Sequence, residues 1–417
     1  MKDIFADIIT IGDEILYGQI TDTNSQWVSA ELDTIGIRTK RKSSVGDQEE
    51  AILEILSEAE GRSQIIIITG GLGPTNDDIT KKTLCKYFNS SLTLNQEALE
   101  EVTNFFKSKG RDLNELNRQQ AFLPENCEYI PNKSGTAPGM WFEKDGKVFI
   151  SMPGVPHEMK AMMQTSILPK LKQTFKTPII FHRVIKTVGI GESYLSELIK
   201  PWEDALPSHI KLAYLPSLSQ VKLRLTASGV ELESVKKEVD DQINQVLPVI
   251  KEYVFGYDND LLEKVIGQLL HERKMTIATA ESCTGGYVAY LITSIPGSSE
   301  YFLGSTVAYQ NEIKMKVLGV EDDTLAKHGA VSEETVREMA AGVRSKFDSD
   351  IGIATTGLAG PSGGDDDQPV GTIWIGYSDK NQTIAKKLRL GNDRDVNIKL
   401  TSIALFNFVR QTLLKNS

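Results

Sequence analysis

Basic residues are in deficit. The 417-residue chain carries 46 lysines and arginines against 56 aspartates and glutamates, a formal charge of −10. A general nucleic-acid binder carries a basic patch large enough to dominate a domain, so that class is disfavoured and small charged metabolites stay open. Cysteine is scarce as well: Cys85, Cys127 and Cys283 are odd in number, scattered, and without metal-ligand spacing. They read as reduced thiols of a cytosolic protein. No apolar run approaches the roughly 18 residues of a membrane span, and Lys2, Asp3 and Asp7 around the first apolar stretch do not make a signal peptide. A cytoplasmic protein with no membrane partner is expected. Internal repeats and low-complexity tracts are also missing, so the length implies two or three domains, each with its own core.

The most informative stretch is Thr276 to Gly286, TIATAESCTGG. Met275, Ile277 and Ala278 have a buried-strand pattern, and Gly285-Gly286 precede the helix-spaced Val288, Leu291 and Ile292. A strand, a tight turn and a helix N-terminus expose a hydroxyl beside unpaired backbone N–H groups, which suits an acyl-transfer nucleophile. An N-cap serine or threonine is the plainer reading of this stretch taken alone.

Two further strands empty into polar turns. Phe302 to Tyr309 leads into Gln310-Asn311-Glu312-Ile313-Lys314, and Ile351 to Thr355 leads into Thr356-Gly357 and a glycine-rich run to Gly364. Turns at one edge of an α/β sheet are where ligands bind. A lysine desolvated beside a serine loses its proton more readily and serves as its base. Lys314 is the candidate, and Lys316 reads as a solvated neighbour. Cys283, next to Ser282, is an alternative nucleophile, although burial is the commoner fate of a lone cysteine.

AESCTGG, YQNEIK, HGAVS (His328 to Ser332), TGLAGPSGG, PVGT (Pro369 to Thr372) and GNDRD (Gly391 to Asp395) closely resemble the motifs of nicotinamide-mononucleotide deamidases over 258–417. The resemblance implies Ser282 as nucleophile and Lys314 as base, with Tyr309 and Thr284 in the catalytic pocket. Gly285, Thr356, Gly357, Gly360, Gly363, Gly364 and Arg394 would hold the nucleotide, and no cofactor is implied for this amidase. Leu358 stands where that family more often has isoleucine. Asp365-Asp366-Asp367 would repel a phosphate if they pointed inward, so they read as a solvated outer turn.

At the other end, Phe5 to Ile11 is an apolar strand running into Gly12-Asp13-Glu14, followed by a helix marked by Asn24, Trp27, Leu32 and Ile35. A strand at Ile37 to Ser44 and a helix at Glu49 to Glu58 precede Ile65 to Thr69, a central strand buried on both faces. The alternation argues a doubly wound α/β sheet. Its central strand empties into Gly70-Gly71-Leu72-Gly73-Pro74-Thr75-Asn76-Asp77-Asp78, ahead of a helix starting near Ile79. Glycines let backbone amides approach phosphate, and Asp13, Glu14, Asp77 and Asp78 would form a rim for a divalent metal.

GDEILYGQITDTNS (Gly12 to Ser25), TGGLGPTNDDIT (Thr69 to Thr80), KSGTAPG (Lys133 to Gly139) and MPGVPHEM (Met152 to Met159) are similar to the molybdopterin-binding fold. More closely, they resemble the N-terminal domain of the CinA family, whose members carry the deamidase module behind it. The resemblance implies hydrolysis of ADP-ribose to AMP and ribose 5-phosphate with Mg, Mn or Co. Gly12, Asn24, Gly70, Gly71, Gly73, Thr80, Gly154 and Glu158 would bind nucleotide, with Pro156 in the wall, and Asp13, Asp77 and Asp78 would hold the metal. His157 is either a general base or part of a helix cap.

Between them, 176–254 is a small α+β stretch, KH-like by the same resemblance, with Tyr253 to Asp260 as linker. It lacks a basic GXXG loop, having Gly189-Ile190-Gly191-Glu192, so a spacer or dimer-forming element is preferred over RNA binding. The expected organisation is 1–175, 176–254 and 258–417, a bifunctional pyridine-nucleotide salvage enzyme and homodimer. The alternatives are a pterin-binding enzyme at the N-terminus and a non-enzymatic competence or repair adaptor.

Overall fold

The computed structural model describes residues 3–75 and 77–415; Lys2 and Asn76 lie outside them. The chain divides into two compact units, one reaching to Phe181 and taking in Ser228–Lys236, the other comprising His182–Ala227 and the chain from Lys237 onward. No helix among the described residues is long and apolar enough to cross a membrane.

The first unit is built on strands β1 (Ile4–Ile11), β2 (Ile37–Val45) and β3 (Ile65–Thr69). A small sheet of β4 (Leu92–Leu94) and β5 (Phe122–Pro124) follows, then β6 (Glu128–Ile130), β7 (Gly139–Lys144) and β8 (Lys147–Met152). The main sheet has the order β2-β1-β3-β8-β7-β6. Its first four strands are parallel, whereas β7 and β6 add an antiparallel edge. Strand β3 is buried throughout because its two faces enter different cores: Ile65 and Ile67 pack in one cluster, Ile66 and Ile68 in the other. Three-residue strands such as β4 and β6 carry too little periodicity to be read from sequence, and they were not anticipated.

Register positions the first site. Thr69 sits opposite Thr10 on one side and Met152 on the other, so the strand ends at Gly12, Gly70 and Gly154 lie side by side. Gly70 has φ +110°, and a Cβ there would collide with the carbonyl oxygen of Ile11. Only glycine fits this crossing.

In the second unit a four-stranded sheet of order β10-β11-β9-β12 comes first. It comprises β9 (Ile179–Val188), β10 (Ile210–Ser217), β11 (Gln220–Gly229) and β12 (Val254–Tyr257). The segment read as a linker is therefore partly a strand, with Val254 paired to Thr187. Buried Arg410 explains the difference: it donates to the carbonyls of Val254 at 2.8 Å and Glu252 at 2.7 Å. Val188 and Phe255 also share a core with Leu262, Ile277 and Leu405. Such contacts span more than 150 residues and leave no local pattern.

The last sheet contains β13 (Ile277–Glu281), β14 (Phe302–Val307), β15 (Ile351–Gly357), β16 (Thr372–Ser378) and β17 (Thr383–Arg389). Its order is β14-β13-β15-β16-β17. The first three strands are parallel, and β16 and β17 run antiparallel. Glu281 pairs with Val307 and with Thr355. The turns after all three strands are thereby brought to one edge, and the Arg394–Lys415 helix packs into the same core through Leu405, Phe406 and Val409.

Candidate functional sites

The C-terminal site forms where those three turns meet. Ser282 donates its amide to Thr355 across the sheet at 3.0 Å, which holds the turn at the strand end. Lys314 enters from the Asn311–Leu318 helix and is only 2 % exposed. Its Nζ lies 3.2 Å from Ser282 Oγ, 2.9 Å from the carbonyl oxygen of Ala308 and 3.4 Å from that of Tyr309. Burial pulls the Lys314 ammonium below its ordinary pKa. A neutral lysine has two N–H bonds and one lone pair, so two carbonyls and one hydroxyl match it. No carboxylate completes an ion pair with Lys314 among the described residues, and a carboxylate would raise the pKa again.

Glu281 organises the turn from beneath. Its buried carboxylate accepts from the Thr284 hydroxyl at 2.7 Å, from the amides of Gly286 and Val288 at 3.0 Å, and from that of Ala289 at 2.8 Å. These are the unpaired donors at the start of the Tyr287–Thr293 helix. Sequence reasoning passed over Glu281, although an acid just before a glycine-started helix was the available signal.

Two expected residues behave differently from the reading. The Thr284 hydroxyl is turned into this network and also meets Thr355 Oγ1 at 2.8 Å, so it does not face the cavity. The Gly285 amide is spent on the Ser282 carbonyl at 3.2 Å. Among the described residues the amides left without a partner in the turn are those of Cys283 and Thr284. The thiol of Cys283 is buried and pushed up to about 12, chiefly by that burial.

A cavity of about 180 Å³ opens on Ser282, with Lys314, Tyr309, Thr356, Gly357 and Arg394 in its wall. Arg394 donates to the Gly360 carbonyl at 2.8 Å and to the Tyr309 hydroxyl at 3.0 Å. Gly363 and Gly364 are exposed and stand apart from the wall. Asp365 to Asp367 are exposed too, Asp365 closing its own turn by accepting from the amides of Asp367 and Gln368; they form the solvated outer turn that was expected.

The N-terminal cavity is larger, about 580 Å³, and is walled by the turns after β1, β3 and β8. Gly12, Asn24, Gly70, Gly71, Gly73, Gly154, Asp77, Asp78 and Glu158 all contribute. Asn24 donates to the Gly154 carbonyl at 2.7 Å, and Glu158 accepts from Asn132 at 2.7 Å. Asp78 accepts from the amide and hydroxyl of Thr75. Thr80 is fully buried behind Gly71 rather than in the wall. His157 is exposed and likewise outside the wall.

Asp13 is not on the wall; its carboxylate accepts from the Asp47 amide at 3.4 Å while its own amide donates to Asp47 at 3.1 Å. Glu14 and Asp47 face the cavity instead. Asp47 was missed because it sits after the edge strand β2 in an unremarkable Gly-Asp-Gln. Its pKa is raised by burial first, and then by the charges of Asp13, Glu14 and Asp77.

The donor set suits a hard divalent cation. No group of three or more His, Cys, Asp or Glu is gathered into a cage among the described residues, and Mg²⁺-like ions take one or two carboxylates and complete their shell with phosphate and water. Buried Asn24 Oδ1 and Thr80 Oγ1 have no partner among the described residues. Burial, and after it the neighbouring carboxylates, push the Asp47 carboxyl up, and a cation would ease both.

Three family models match along the chain: "Probable molybdopterin binding domain" over residues 7–173, "Damage-inducible protein CinA KH domain" over 182–256, and "CinA C-terminal domain" over 259–413. A CinA-like protein of Cytophaga hutchinsonii is 58 % identical, covering 98 % of both chains. The chain belongs to the CinA family. A second CinA-like protein, from Flavobacterium psychrophilum, is 45 % identical over 99 % of each. Among solved structures, CinA of Thermoplasma acidophilum, described as of unknown function, matches at 33 % identity with a TM-score of 0.37, covering 40 % of this chain and 98 % of its own. As a CinA protein the chain is of mixed α/β class, with a molybdopterin-binding-like domain, a CinA KH domain and a CinA C-terminal domain in that order.

Proposed function

We propose that the C-terminal domain is a serine–lysine amidase that deamidates nicotinamide mononucleotide. The observation that carries this reading is the 3.2 Å approach of a buried, carboxylate-free Lys314 to Ser282. Lys314 takes the Ser282 proton as Oγ bonds to the carboxamide carbon. The amides of Cys283 and Thr284 stabilise the resulting oxyanion. The C–N bond then breaks, ammonia leaves with the proton returned by Lys314, and an acyl-Ser282 ester remains. Water, deprotonated by Lys314, hydrolyses it to the carboxylate and restores Ser282. The cavity takes the carboxamide-bearing ring, and Arg394 at its rim suits the phosphate.

The N-terminal domain is proposed to hydrolyse ADP-ribose to AMP and ribose 5-phosphate. One or two of Asp47, Asp77, Asp78 and Glu14 would hold a divalent cation, which when bound supplies charge neutralisation at the pyrophosphate and an activated water. Gly71, Leu72 and Gly73 of the turn present amides to the phosphates, since the Gly70 amide already donates to the Met152 carbonyl at 3.0 Å, and Asn24 and Glu158 bind hydroxyls of the sugar. Both products enter pyridine-nucleotide salvage.

The test is ammonia release from nicotinamide mononucleotide without added metal by wild type, Ser282→Ala and Lys314→Ala. Wild-type release that both substitutions abolish is expected. An active Ser282→Ala sinks the nucleophile assignment. For the first domain, AMP release from ADP-ribose is expected to stop with EDTA and resume with Mg²⁺.

A further inference from the structure

The Arg394–Lys415 helix reaches the glycine-rich turn of the amidase site with two side chains of its first turn. Arg394 donates to the Gly360 carbonyl at 2.8 Å. Three residues on, and so on the same face of the helix, Asn397 donates to the preceding carbonyl, that of Ala359, at 2.9 Å and to that of Gly391 at 2.8 Å. Neither of these two carbonyls accepts from another group among the described residues. Asn397 is fully buried and stands outside the cavity wall, whereas Ala359 and Arg394 belong to it.

We propose that Asn397 is the positioning residue that sets Arg394 at the cavity rim and thereby fixes the grip on an anionic group of the substrate. The inference rests on the amidase reading and adds the buried group on which its anion site is built. Three observations carry it. Both bonds of Arg394 go to uncharged oxygens, the Gly360 carbonyl and the Tyr309 hydroxyl, so its positive charge is open to an anion. An exposed arginine loses side-chain freedom when it binds, and one already held at both branches of its fork loses less. The Gly360 branch is only as fixed as the turn, and Asn397 fastens that turn to the helix. Next, the Asn397 amide has two N–H bonds and uses both, which leaves buried Oδ1 without a partner among the described residues. An unmatched buried acceptor is unfavourable, and such a feature persists where it secures a site. Finally, a Cβ on Gly360 would come within 2.9 Å of the Asn392 carbonyl oxygen. The two carbonyls that Asn397 bridges belong to the residues just before this close pair, so the bridge holds the turn against the entry to the helix.

The test uses the full chain and nicotinamide mononucleotide. Its Kd is measured by calorimetry in a Ser282→Ala background, and KM and kcat for ammonia release in chains that keep Ser282. Asn397→Leu keeps the volume and removes both donors. Kd and KM are expected to rise about tenfold, with kcat within about twofold of wild type. Because Asn397 acts through Arg394, the double variant Arg394→Ala/Asn397→Leu is expected to bind no more weakly than Arg394→Ala alone. Should Asn397→Leu fail to fold, Asn397→Ser, which keeps a hydroxyl donor, takes its place with a smaller rise expected. An unchanged Kd with a lowered melting temperature, or losses that multiply in the double variant, would mark Asn397 as a structural residue and overturn the assignment, while wild-type ammonia release leaves the amidase reading standing. A wild type that binds the nucleotide without releasing ammonia overturns the amidase reading, and the Kd comparison still decides the role of Asn397. A wild type that neither binds nor cleaves it overturns both.

Discussion

The carboxylate of Glu281 accepts the hydroxyl hydrogen of Thr284 at 2.7 Å, three residues apart across the turn that carries Ser282. With three helix amides on the same carboxylate, this pair fixes the turn from the buried side. Glu281→Ala leaves those donors without an acceptor. A loss of stability on the order of 3 kcal/mol is expected, read as an earlier urea midpoint for the second unit. A midpoint within experimental error of wild type would show the network to be dispensable.

Lys314 must be neutral to accept the Ser282 proton, and burial lowers its pKa below 10.5. Deamidation kcat/KM should therefore rise with pH through an apparent pKa below that of free lysine. The stability linkage has the same sign. Between the folded and unfolded pKa values the unfolded chain binds the extra proton, so Lys314 costs less stability as pH rises through this window and costs most below it. Lys314→Met should flatten that part of the stability profile and abolish ammonia release. A pH–rate profile with no rising limb anywhere below pH 10.5 would exclude Lys314 as base.

Cys283 is adjacent to Ser282 and within the cavity wall, yet its thiol is pushed up to about 12. At pH 8 only roughly one thiol in ten thousand is ionised, and the thiolate is the reactive form. Wild-type deamidation should survive treatment with iodoacetamide at that pH. Rapid inactivation, with alkylation mapped to Cys283, would reverse the choice of nucleophile.

Gly70→Ala places a methyl group against the Ile11 carbonyl at φ +110°. The expected cost is about 2 kcal/mol or more, together with loss of AMP release from ADP-ribose. Ammonia release from nicotinamide mononucleotide should persist, since its site lies in the other unit. If both activities fell together, the two sites would not be independent.

Local sequence determined the elements that present chemistry. Five consecutive largely apolar residues at Ile65–Thr69 demand a strand buried on both faces, and glycines after it demand a turn open to phosphate. The apolar strand before Glu281-Ser282 and the glycines after it likewise mark a turn that presents a hydroxyl, but the structure leaves Ser282 only 8 % exposed, reached through a cavity rather than open to solvent; Lys314 was legible as its neighbour because both follow parallel strands. Tertiary structure decided which atoms are free to act. Strand register set Ser282 against Thr355, turned the Thr284 hydroxyl away from the cavity, and put Asp47 rather than Asp13 on the wall. It also made a strand of Val254–Tyr257 through Arg410, more than 150 residues away. Side-chain direction and hydrogen-bond competition depend on neighbours brought together from distant segments, and a linear pattern carries neither.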